Sequence, residues 1–156
     1  MEYEVKCTQW SEDYIRELLD ILQTNENIRI TVSIDNEEKG TAYQEEKIIG
    51  QYLNQLGIPV HLQGYSYLKY GIMRCINCPE ELDSVTKILY PNIAKKYQTT
   101  AGKVEHGIRH AIAKAWEGNE EAAWNSIFGM SRGNNHTRPT NSRFLATVAD
   151  YIKIHH

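Results

Sequence analysis

No stretch of this 156-residue chain is apolar for long enough to cross a bilayer. The opening MEYEVKCTQW has neither the cationic start nor the apolar centre of a secretion signal, so the expected location is the cytoplasm, with no membrane partner. Cysteine is scarce. Three residues, an odd number, fit a reducing compartment better than a disulfide framework. Cys75 and Cys78 have the Cys-x-x-Cys spacing, but a zinc site would need a second such pair, and no strand precedes them as in a thioredoxin-like redox site. Packing at a helix end is the simpler reading. Also missing are a nucleophile beside a positioned base, two carboxylates in a shared pocket, and a phosphate-cradling glycine loop, since Gly102 and Gly107 fall inside a helical pattern. The chain is therefore expected to be no enzyme and to hold no cofactor and no metal. His106 and His110, four apart, lack a visible third ligand, and His61 reads as a satisfied loop or core histidine.

Net charge is also small, at −3, but that average hides two unlike parts. Residues 1–46 hold 12 acidic against 4 basic side chains, and residues 47–156 hold 8 against 13, together with all six histidines. Such asymmetry suits a polyanion-binding module carrying an acidic appendage. The acidic part alternates Tyr3, Val5 and Cys7, then Ile28, Ile30, Val32 and Ile34, with polar residues, which predicts two half-buried strands. Between them a helix is predicted, with Ser11 as N-cap, Trp10 stapled onto Ile15, and Ile15, Leu18, Leu19 and Leu22 inward. So short a strand-helix-strand cannot bury its own core; it either packs as a lid on the helical domain of its own chain or, since strand edges suit intermolecular sheet formation, pairs with a second copy. DNEEKGTAYQEE, with Gly40 as breaker, is the expected boundary between an appendage at 1–44 and a helical domain at 45–156.

From Glu45 onward the periods are helical. Ile48, Ile49, Tyr52, Leu53 and Leu56 share a face that stops at Gly57. Tyr65, Leu68, Ile72 and Ile76 share another. Pro79 opens a segment with Leu82, Val85, Ile88 and Leu89 inward, and a short helix after Pro91 places Ile93, Ala94 and Tyr97 inward. Following a turn at Gln98 and Thr99, a helix at about 100–117 is capped by Thr100 and buries Val104, Ile108, Ala111, Ile112 and Ala115. Asn119 and Gly129 bound the next helix, in which Trp124 and Phe128, with Trp116 before them, read as core. MSRGNNHTRP is loop, and Phe144, Leu145, Val148, Ala149 and Ile152 face inward on the last helix. The predicted fold is mainly α, a multi-helix bundle containing a helix-turn-helix and preceded by a short strand-helix-strand appendage.

The helix at 100–117 turns Lys103, His106, Arg109, His110 and Lys114 away from its apolar stripe, with Glu105 at their edge. A short helix, a turn and a longer helix with such a face match a helix-turn-helix whose second helix enters the major groove of double-stranded DNA. Lys103, His106 and His110 would occupy the face that meets base edges. Arg109 and Lys114 would meet phosphate, making binding salt-dependent. Glu105 is repelled by the DNA backbone, so its use there is to accept a hydrogen bond from a cytosine amino group.

Three blocks, GIPVHLQGYSYLKYGI, LYPNIAKKYQTTAGKVEHGIRHAIAKAW and RPTNSRFLATVADYI, resemble the C-terminal DNA-binding effector domains of the stage zero sporulation protein A family of response regulators, over roughly Glu45 to Ile152. The resemblance implies base reading by Lys103, Glu105 and His106. It implies phosphate or groove contacts by Thr100, Arg109, His110, Lys114 and Arg138, binding as a homodimer to tandem boxes of the TGTCGAA type, and contact with RNA polymerase or a full-length regulator. Two residues depart from the family pattern. Lys103 replaces an arginine and loses the bidentate fork that suits guanine, and His106 replaces an arginine with a weaker cation. The family's phosphoacceptor receiver does not fit into the acidic segment at 1–46, so a different control, or pairing through the appendage, is expected. The alternative is an interaction module that pairs with a full-length regulator and holds it off DNA, a role with no need for Lys103, Glu105 and Arg109 together.

Overall fold

The computed structural model describes residues 2–7, 12–24, 29–34, 37–118, 120–129 and 137–156. The expected caps Ser11 and Asn119, the staple residue Trp10 and most of the loop at 130–139 lie outside the described residues. The chain divides into two units, Met1–Tyr43 and Gln44–His156.

In the first unit β1 (Glu2–Cys7) and β2 (Arg29–Ile34) pair in parallel, Glu2 opposite Arg29 and Cys7 opposite Ile34, with α1 (Glu12–Thr24) between them in sequence. A parallel pair needs such a long crossover, because a tight turn can only reverse the chain. Leu19 and Leu22, expected inward, stand exposed on α1.

The expected architecture, a bundle preceded by a separate strand-helix-strand appendage, is corrected by α2, which runs unbroken from Glu37 to Gln55. From Glu37 onward the polar stretch meant to separate the two parts is itself helix. Gly40 does not break it, because the surrounding Glu, Lys, Ala and Gln are strong helix formers and one interior glycine costs only about 1 kcal/mol. Helix therefore begins before the expected boundary, and the second unit contains no strand among its described residues. Gly57, at φ +78°, ends α2 in the left-handed region while the Ile58 amide donates back to the Leu53 carbonyl.

The second unit centres on α3 (Gln63–Asn77), which packs against both α5 (Ala101–Glu117) and α7 (Asn141–His155). Leu68 and Ile72 of α3 share a core with Ile49 and Leu53 of α2, Ile108 and Ile112 of α5, and Phe144, Leu145 and Val148 of α7. α6 (Glu121–Phe128) closes one end: buried Trp124 donates its indole N–H to the Leu56 carbonyl at 3.1 Å and packs edge-on against Trp116. The tightest approach is between α3 and α5. A Cβ on Gly64 would lie 2.1 Å from the Gly107 carbonyl oxygen and 2.7 Å from Ala111 Cβ, so the two backbones touch only because Gly64 has no side chain.

The segment after Pro79, expected to be one regular helix, is instead a 3-10 stretch (Pro79–Ser84) followed by a π-helical turn (Val85–Leu89) that runs into α4 (Tyr90–Lys96). The wide turn shifts side chains off the α-helical stripe, and Ile88, expected inward, is exposed. Glu81 lies on this irregular path. It is 5% exposed, receives both an ion pair and a second hydrogen bond from Arg74 of α3, and accepts from the Asn92 side-chain amide of α4 at 3.1 Å. Arg74 holds the Glu81 carboxyl below its usual range against the upward push of burial. Tyr97, also expected inward, ends α4 at the surface, with its ring edge-on to Tyr67 and its hydroxyl donating to the Ser66 carbonyl.

Gly64→Ala should lower unfolding stability by about 3 kcal/mol or more, whereas Gly102→Ala, on a helix surface open to solvent, should raise it by up to about 1 kcal/mol. Urea melts of the two variants check both signs. A carboxyl whose folded pKa lies below its unfolded value stabilises above the unfolded pKa, and that stability is lost as pH falls through the folded one. Arg74→Ala should therefore cost about 3 kcal/mol at pH 7, since it strands a buried charge, and progressively less in melts carried down to about pH 3. A cost independent of pH would contradict this role for the Glu81 charge.

Candidate nucleic-acid interface

α4, a four-residue turn and α5 form the helix-turn-helix. The turn reverses at Gln98, whose φ of +52° is left-handed, and the Thr99 amide donates to the Ala94 carbonyl at 2.9 Å. Thr100 then starts α5 as its N-cap: its backbone is extended and its hydroxyl oxygen accepts from the Lys103 amide at 3.3 Å. Among the described residues nothing accepts its hydroxyl proton.

Burial along α5 follows the sequence reading. Val104, Ile108, Ala111, Ile112 and Ala115 are buried, while Lys103, His106, Arg109, His110 and Lys114 are exposed. The outward residues do not form one row, however. At 100° per residue, Lys103, His106, His110 and Lys114 make one stripe, and Arg109 falls beside Glu105 on the flank toward α7. Arg109 forms an ion pair with Glu105 one turn earlier, and the Asn141 side-chain amide at the start of α7 donates to the Glu105 carbonyl oxygen at 3.1 Å. On the other stripe, Lys114 lies 3.8 Å from Glu117.

Arg138, 29 positions beyond Arg109 in sequence, is brought to the same flank. Both arginines line an open cleft of about 360 Å³ with Tyr90, Glu105, Thr140 and Asn141. Thr140 caps α7 by accepting from the Arg143 amide at 3.2 Å. Two residues of this flank were not singled out in the sequence. Asn141 donates both to Glu105 and to the Tyr90 hydroxyl at 3.2 Å, so one amide ties α7 to both helices of the motif. Tyr90 is buried, and burial raises its pKa. The signal available was the Thr-Asn pair after Pro139, a cap pattern that locates a helix start without revealing what the asparagine reaches.

The remaining polar groups offer less. Cys75 is buried at the end of α3 and its thiol is pushed up to about 12, chiefly by burial, which makes it a poor nucleophile. Cys78 is half-buried at the C-cap of the same helix. Among the described residues no three His, Cys, Asp or Glu side chains are grouped to hold a metal ion, and no helix is long and apolar enough to cross a membrane.

The basic helix, its cap and the cleft beside it all lie within the segment that a family model matches. That model, described as sporulation initiation factor Spo0A C terminal, covers residues 49–152, from the second half of α2 to the last turn of α7. The chain belongs to the Spo0A C-terminal family of DNA-binding effector domains of transcription regulators.

Proposed function

We propose that this protein is a sequence-specific transcription regulator that lays α5 in the major groove of boxes of the TGTCGAA type, with Lys103, Glu105 and His106 reading bases. Thr100, Arg109, His110, Lys114 and Arg138 contact phosphates or groove walls. The observation that carries this reading is a capped, firmly packed α5 whose exposed stripe presents Lys103, His106 and His110 together, beside a carboxylate that has no value to a purely phosphate-binding surface. Rigid helix packing is what base reading requires, because side chains must meet base edges to within a fraction of an ångström. Lys103 contributes a single ammonium contact where a guanidinium would make two, so preference at that base pair is weaker than an arginine would give.

The protein acts on tandem boxes as a homodimer. Fluorescence anisotropy on duplexes with two boxes, one box or scrambled sequence, across a salt series, tests both statements. Cognate binding tighter by about a thousandfold is expected, with two copies bound per tandem duplex. Equal, steeply salt-dependent binding to all three duplexes would remove the base-reading claim. Lys114→Ala should weaken cognate and scrambled DNA alike and lower the salt slope by about one.

A further inference from the structure

Glu105 is fixed from two directions. Its backbone carbonyl accepts from Asn141 of α7, and its Oε1 accepts from the Arg109 guanidinium. Among the described residues nothing bonds Oε2. The carboxylate is half-buried and Arg109 is mostly exposed, with side-chain exposures of 32% and 59%. An unrestrained glutamate on a helix surface samples several rotamers and is driven away from phosphates by its charge. A guanidinium on one oxygen restricts the rotamers, offsets the charge and leaves the second oxygen free to accept.

From this geometry we infer that Arg109 is a specificity-positioning residue: it holds the Glu105 carboxylate so that Oε2 accepts from a cytosine amino group, in addition to meeting phosphate itself. The inference rests on the base-reading role proposed for Glu105. It changes what Arg109 does. A residue that only neutralised phosphate would affect all sequences equally, whereas this arrangement makes discrimination at one base pair depend on Arg109. Guanidinium carries five donors in a planar fork, so binding Glu105 and a phosphate together is within its capacity. Lysine keeps the charge but lacks the fork and the planar geometry.

The test is competition anisotropy with the full chain on a panel of duplexes altered one base pair at a time, for wild type, Glu105→Ala, Arg109→Ala, Arg109→Lys and the double alanine variant. Neither side chain is fully buried, and thermal melts confirm that each variant folds. Glu105→Ala should flatten discrimination at one base pair by about fivefold or more. Arg109→Ala should flatten it at the same base pair while also weakening every duplex. Arg109→Lys should recover the general affinity but not the discrimination, and the double variant should discriminate no worse than Glu105→Ala alone. If Glu105→Ala relaxes one position while Arg109→Ala weakens all duplexes in equal proportion, the positioning role is overturned and the base-reading role of Glu105 stands. If Glu105→Ala leaves discrimination unchanged everywhere, the base-reading role falls and the inference falls with it.

Discussion

The attitude of α5 is set by one backbone contact. Gly64 of α3 sits directly against the Gly107 carbonyl of α5, with no room for even a methyl group between them. Close-packed interiors transmit small displacements, so a side chain here would move α5 as a body rather than adjust locally. Gly107 is also packed by the Tyr67 ring of the same helix, α3, 3.1 Å from where its own Cβ would lie. The two glycines seat the helix near its middle, and the α5 residues proposed to meet DNA, from Thr100 to Lys114, project from the turns around that seat.

Other polar contacts hold the neighbours of α5 to the same frame. Glu81 links the irregular segment to α3 through Arg74 and to α4 through Asn92, while Asn141 links α7 to Tyr90 and Glu105. Each is a buried or half-buried hydrogen bond whose partner would be costly to strand. Both serve the helix-turn-helix: one positions its first helix and the other its second. The cleft that gathers Arg109 and Arg138 follows from the second link, since Arg138 stands two residues before Thr140, the cap of the helix that Asn141 begins.

Much of the second unit was legible because apolar residues recur at helical spacing. Val104, Ile108 and Ile112, or Phe144, Leu145 and Val148, could bury together in no other regular structure. Thr100 and Gly57 were readable as helix boundaries for the same local reason. What escaped depends on distant partners. Nothing near Glu81 shows that its carboxylate turns inward, because Arg74 and Asn92 lie outside its local pattern, and the 3-10 and π-helical path was read as ordinary helix. Gly40 was read as a breaker from its own preference, which its helix-forming neighbours overrode. On α5, exposure of Lys103, His106, His110 and Lys114 follows from period alone. The pairing of Arg109 with Glu105 was visible as an i, i+4 spacing, yet the convergence of Arg138 and Asn141 on that pair required the fold.

The most direct test of the central claim, that α5 seated on α3 is the surface presented to DNA, is amide chemical-shift mapping by NMR as a tandem-box duplex is titrated in. The account predicts shifts concentrated from Thr100 to Lys114 and around Arg138 to Asn141, with α6 and the C-terminal half of α7 unmoved. Shifts centred on α6, with the Lys103 to His110 amides unchanged, would contradict it.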